Sequence, residues 1–219
     1  MRQVVHFGPQ QLSNTAWAFA VMNLRDQPLM LAISGQLQKK VVHCDVQELV
    51  NTAWAFAKLG LCYQPLMDAI ATQASRKVAK YTARDLANTA WAFAVLMLVN
   101  VPFMKVLAAR TQIRIHEGDT QAISNTAWAF ATLLYRDEPL MSAISSAALL
   151  RMPEFDEQGC ATMVFAFAAL EIWHQPLLNA LVSQSMSILR QPAGSSRAPQ
   201  LRHLLDTLAA SVERNRGDL

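Results

Sequence analysis

A chain of 219 residues with 53% hydrophobic side chains and a net charge of +3 can build a sizeable core. Its isoelectric point near 8.9 tolerates an anionic partner without requiring one. Mean hydropathy is high at +0.17, yet the most apolar stretch, Ala90 to Val99, ends after ten residues, far short of the roughly 20 that a membrane span needs. Cys44, Cys62 and Cys160 have no disulfide or metal-ligand spacing, which suits a reducing compartment.

The chain opens on Arg2-Gln3-Val4-Val5-His6, which repeats the pattern of Lys39-Lys40-Val41-Val42-His43 at an interval of 37 residues. Residues 1–6 therefore read as the tail of a truncated upstream repeat, and the chain as a piece of a longer array. No signal or transit segment is visible in it.

From residue 7 the same interval governs everything. The heptapeptide Asn-Thr-Ala-Trp-Ala-Phe-Ala begins at Asn14, Asn51, Asn88 and Asn125, and a worn copy runs from Thr162 to Ala168. A proline column keeps step at Pro28, Pro65, Pro102, Pro139 and Pro176. A fixed period between about 20 and 50 residues marks a stacked-repeat architecture. Each repeat predicts two helices. Helix A follows a column of Gly8, Asp45, Thr82, Asp119 and Asp156, mostly side chains that cap a helix N-terminus, and Glu48 and Asp85 are placed to complete capping boxes. Pro9 suits the first helical position, and Gly60 marks a helix end. Helix B starts near the proline column, with Asp26, Asn100 and Asp137 as caps and Met30, Ile33, Leu37 and Val41 as its buried stripe. A lone helical hairpin cannot bury both faces, so neighbours supply the missing surface. The fold class is all-α: an α-solenoid of about five 37-residue helical hairpins over residues 7–191. Residues 192–199 read as a linker, and 200–219 as a capping helix with a polar tail, its apolar face formed by Leu201, Leu204, Leu205, Leu208 and Val212.

On a helical wheel, helix A gathers Leu12, Ala16, Phe19 and Ala20 on a core side and Gln10, Asn14, Ala18 and Val21 on the opposite one. The polar stripe recurs as Gln10, Gln47, Arg84, Gln121 and Gln158, then as Asn14, Asn51, Asn88 and Asn125. Amides donate and accept, so in a groove they can meet the edges of unstacked bases. An asparagine ladder fixing the register of neighbouring repeats is the equal alternative. Variation between repeats sits at Val21, Lys58, Val95 and Thr132. Trp17, Trp54, Trp91 and Trp128 flank the stripe and read as inter-repeat packing ahead of base stacking; on that reading Trp54→Ala costs about 3–5 kcal/mol. Lys40, Lys77, Arg114 and Arg151 share one register at the end of helix B, a ladder that can follow a phosphate backbone or simply complement helix C-termini. No catalytic triad, carboxylate pair, metal-ligand set or glycine-rich phosphate loop stands out, so neither an enzyme nor a cofactor is expected.

The run Gly8-Pro9-Gln10-Gln11-Leu12-Ser13-Asn14, continued by Thr-Ala-Trp-Ala-Phe-Ala and then Gln27-Pro28-Leu29, resembles the octotricopeptide and heptatricopeptide repeats. It is also similar to the leucine-rich region of FAST-kinase-domain proteins. The likeness covers residues 7 to about 191; each repeat keeps one proline of the octotricopeptide proline-rich stretch, and residues 192–219 contain no counterpart of the RAP domain. The resemblance implies an α-solenoid that binds single-stranded organellar rRNA or mRNA, in mitochondrion or chloroplast, for RNA processing, mRNA stability or translation. On that expectation Gln10, Asn14, Gln47, Asn51, Lys58, Arg84, Asn88, Gln121 and Asn125 face the RNA, and Lys40, Lys77, Arg114 and Arg151 hold its phosphates. The alternatives are a protein-interaction scaffold using the same groove, and a non-functional fragment of a repeat array.

Overall fold

The computed structural model describes residues 4–190, and side chains through Ile188. The proposed linker and capping helix lie outside the described residues. Ten α-helices alternate along the described residues: α1 (Pro9–Val21), α2 (Gln27–Lys40), α3 (Val46–Lys58), α4 (Gln64–Lys77), α5 (Ala83–Val95), α6 (Val101–Arg114), α7 (Thr120–Thr132), α8 (Glu138–Leu150), α9 (Glu157–Ala169) and α10 (Gln175–Arg190). No strand occurs among the described residues. Short 3-10 turns at Val4–His6, Val41–His43, Val78–Lys80, Ile115–Glu117 and Met152–Glu154 precede the odd-numbered helices. The odd helices are the A layer and the even ones the B layer, so the five hairpins stack as the period requires.

The expected caps form. Asp45 accepts from the Glu48 N–H at 2.8 Å while Glu48 accepts from the Asp45 N–H at 2.8 Å, and Thr82 and Asp85 make the same box. Asp26, Asn100 and Asp137 cap α2, α6 and α8 through the N–H groups of Leu29, Phe103 and Leu140. Gly8 has no side chain to cap α1, and there the Gln11 carboxamide accepts from the Gly8 N–H at 2.9 Å. Helix A spans 13 residues, slightly short of a full heptad pair, because a left-handed residue stops it each time. In the second repeat that residue is Gly60; elsewhere Asn23, Met97, Leu134 and Glu171 adopt the same positive φ, near 50–54°. The residue after it donates back to the phenylalanine carbonyl, as Leu61 does to Phe56 at 2.9 Å. This αL stop, with its six-residue hydrogen-bonded closure, satisfies carbonyls that the helix leaves free.

The A helices approach one another much more closely than the B helices do. The reason is in the heptapeptide. Its alanines at 53, 55, 57, 90, 92 and 94 are buried and add almost no width. Its threonine is buried too, because its hydroxyl is satisfied within its own helix: Thr52 donates to the Glu48 carbonyl at 2.7 Å and Thr89 to the Asp85 carbonyl at 2.7 Å. Phe56, Phe93, Phe130 and Phe167 fill the space between layers and are fully buried, each stabilising by about 2–3 kcal/mol. Closer spacing on one side curves a stack, and it makes the A layer the inner wall.

Candidate nucleic-acid interface

Three sides of the inner A helices α3, α5 and α7 are consumed by packing, two by neighbouring A helices and one by the B layer; α1 and α9 have one such neighbour each among the described residues. Four positions remain on the free side, spaced i, i+4, i+7 and i+11, which is one helical face. In α3 these are Gln47, Asn51, Trp54 and Lys58; in α5 they are Arg84, Asn88, Trp91 and Val95. Across the stack they form four columns, and none of their positions in any repeat carries an acidic side chain.

The Asn column separates the two sequence readings. Asn14 is exposed and Asn51, Asn88 and Asn125 are half-buried, yet none of their carboxamides makes a hydrogen bond. They stand free in the groove and do not form a ladder between neighbours. Gln121 and Asn125 line a polar recess of about 320 Å³ with Thr120, Ser124, Gln158, Thr162 and the acidic Asp156, set between α7 and α9.

The Trp column belongs to the same face. Trp54, Trp91 and Trp128 are half-buried against the core, with Trp54 and Trp91 at 6.4 Å between ring centroids and 30° from parallel. Trp17 and Phe165, at the two ends, are 45% and 46% exposed. The rings therefore both pack and present surface. A helical wheel sets Trp about 60° from Asn and leaves its side undecided; the close alanine contacts on either flank decide it.

The basic residues divide. Lys40 and Lys77 reach back one repeat. The Lys40 ammonium donates to the carbonyls of Val5 at 3.2 Å and Phe7 at 2.6 Å, and Lys77 donates to those of Val42 and Cys44. These lysines fasten each B helix to the 3-10 turn before it. Arg110 does so for the Ala79 carbonyl at 2.7 Å, and Gln184 for Phe155 at 3.0 Å, one helical turn earlier in their own helices. Arg114 and Arg151 instead pair with Glu117 and Glu154. Both line, with Arg84, a shallow depression of about 370 Å³ at the rim near the N-termini of α5 and α7. There Arg84 holds Asp119 at 2.8 Å, and this hydrogen bond, aided by the Ala122 N–H, keeps the Asp119 carboxyl below its usual range. Lys58 is exposed at the end of α3 and makes no ion pair.

Burial pushes the Cys44 and Cys160 thiols up to about 11. Among the described residues no three His, Cys, Asp or Glu side chains gather to hold a metal, and no helix is long and apolar enough to cross a membrane.

The family model of the RNA-editing substrate-binding complex 6 protein matches residues 1–215. The chain belongs to that family. Membership makes it an RNA-associated helical protein; the octotricopeptide and heptatricopeptide families, named by resemblance, are not what the match identifies. Among curated proteins no match is found. The four columns of the open face carry amides and indoles and no acidic side chain, while Asp156, Glu117 and Asp119 stand in the adjoining depressions.

Proposed function

We propose that this protein binds single-stranded RNA along the inner wall of the stack, as a non-catalytic component of an RNA-editing assembly. The carrying observation is the unpartnered carboxamide of Asn51, Asn88 and Asn125, each on one face with a half-exposed indole. Indole faces stack on bases at about 1–3 kcal/mol each, and amides meet base edges. Phosphates fall to the cations with donors to spare: Lys58, Arg84, Arg114 and Arg151. Lys40 and Lys77 serve the fold first. Of the two organelles offered by resemblance, the mitochondrion fits this family of editing complexes, and the chloroplast has no support from it.

The test is fluorescence anisotropy of the whole chain with an unstructured RNA of about ten nucleotides and with the matching duplex. Binding should favour the single strand, and affinity should fall with salt at a log–log slope near −3, from about −0.7 for each of four phosphate contacts. Absence of binding, or affinity independent of salt, overturns the proposal. Capture of an extended peptide with no RNA affinity would make the groove a protein-interaction surface instead.

A further inference from the structure

We infer that the inner wall selects a run of adenines, a conclusion that rests on the RNA-binding reading above. Two of the four columns are uniform: the same Asn and the same Trp, three residues apart on one face, recur in four successive repeats. Identical contacts cannot distinguish one position from the next, so the tract they fit is itself uniform.

The chemistry of one carboxamide chooses the base. It offers one donor and one acceptor side by side. The Watson–Crick edge of adenine has two groups, the N1 acceptor and the N6 amino donor, and a single amide satisfies both. Uracil, cytosine and guanine each present three groups along that edge. Their third group finds no partner on that amide, so adenine alone has its whole edge satisfied by one Asn. The residue one turn before each Asn (Gln10, Gln47, Arg84 or Gln121) does not supply the missing partner. It lies seven residues from the Trp, about 10 Å along the helix axis, beyond a base stacked on that ring. A purine also covers more of the indole than a pyrimidine does. In the fifth repeat Thr162 and Phe165 replace Asn and Trp, so the amide is lost and the run stops after four.

The experiment uses the whole chain and four labelled octaribonucleotides: all-adenosine, all-uridine, all-cytidine, and all-purine-riboside, which keeps the purine ring but lacks the N6 amino group. The adenosine octamer is expected to bind at least about tenfold tighter than each of the others. The variant Asn14→Ala/Asn51→Ala/Asn88→Ala/Asn125→Ala should bring adenosine affinity down to the uridine level and leave uridine affinity unchanged. Equal binding of all four, a pyrimidine preference, or an adenine preference that survives the quadruple variant each overturns the inference while RNA binding stands. Failure of every octamer to bind removes the RNA-binding reading itself.

Discussion

Replacing Asn14, Asn51, Asn88 and Asn125 together with alanine tests the site and the fold in one protein. Each asparagine occupies a helix interior, where its helix propensity is about 0.5 kcal/mol poorer than that of alanine. None donates or accepts a hydrogen bond, so truncation leaves no buried partner unsatisfied. Their side chains are half-buried or exposed, so little packing is lost. The quadruple variant is therefore expected to be more stable by about 2 kcal/mol. In a domain of this size that is a rise in Tm of about 4–8 °C. RNA affinity should fall steeply at the same time, because every amide has left the groove. Thermal melting followed by circular dichroism, alongside anisotropy, gives both readouts. A loss of stability beyond about 1 kcal/mol would mean that the asparagines tie neighbouring repeats together, and the groove reading would fail with it.

Four further outcomes are expected. Leu134, 73% exposed at a φ of 50°, sacrifices backbone comfort without gaining packing, so Leu134→Gly should stabilise by about 0.5–1 kcal/mol in urea unfolding; destabilisation would show that the side chain is held. Lys77→Met strips the donor from the Val42 and Cys44 carbonyls and should cost about 1–2 kcal/mol while leaving the salt slope of RNA binding untouched; a reduced slope at unchanged stability would instead place Lys77 on a phosphate. For Trp54→Ala the half-buried ring lowers the core expectation to about 2–3 kcal/mol, and a melt unaffected by the change would show that the ring only serves ligand. Asp119, held low by Arg84, contributes stability that is complete above the ordinary carboxylate range near pH 4 and disappears as pH drops through its lowered value. Asp119→Asn keeps the cap, so its Tm should decline less between about pH 4 and 2 than that of the natural chain; parallel declines would refute the linkage.

Much of the scaffold was legible because repetition multiplies a weak signal. One Asp before an apolar run is a modest hint of a helix start; the same column at 45, 119 and 156 fixes it, and each of these side chains caps in the structure. Five helix ends were less visible. Only Gly60 announces a left-handed stop, whereas Asn23, Met97, Leu134 and Glu171 reach it through the backbone hydrogen bonds that close the turn.

The site divides along the same line. Sequence alone determined the hairpin period, the two helices of each repeat, their caps, and the presence of amide, aromatic and basic columns, since each follows from local spacing and side-chain chemistry. Which columns face solvent was a tertiary decision. Stacking buries the alanine flanks of α3, α5 and α7 and so turns Asn51 and Trp54 together onto the one face left open. It also brings the ammonium of Lys77 within reach of carbonyls 33 and 35 residues away, a distance in sequence that no local pattern encodes. A cation meets whatever the packing places beside it, and here that is the backbone of the preceding repeat.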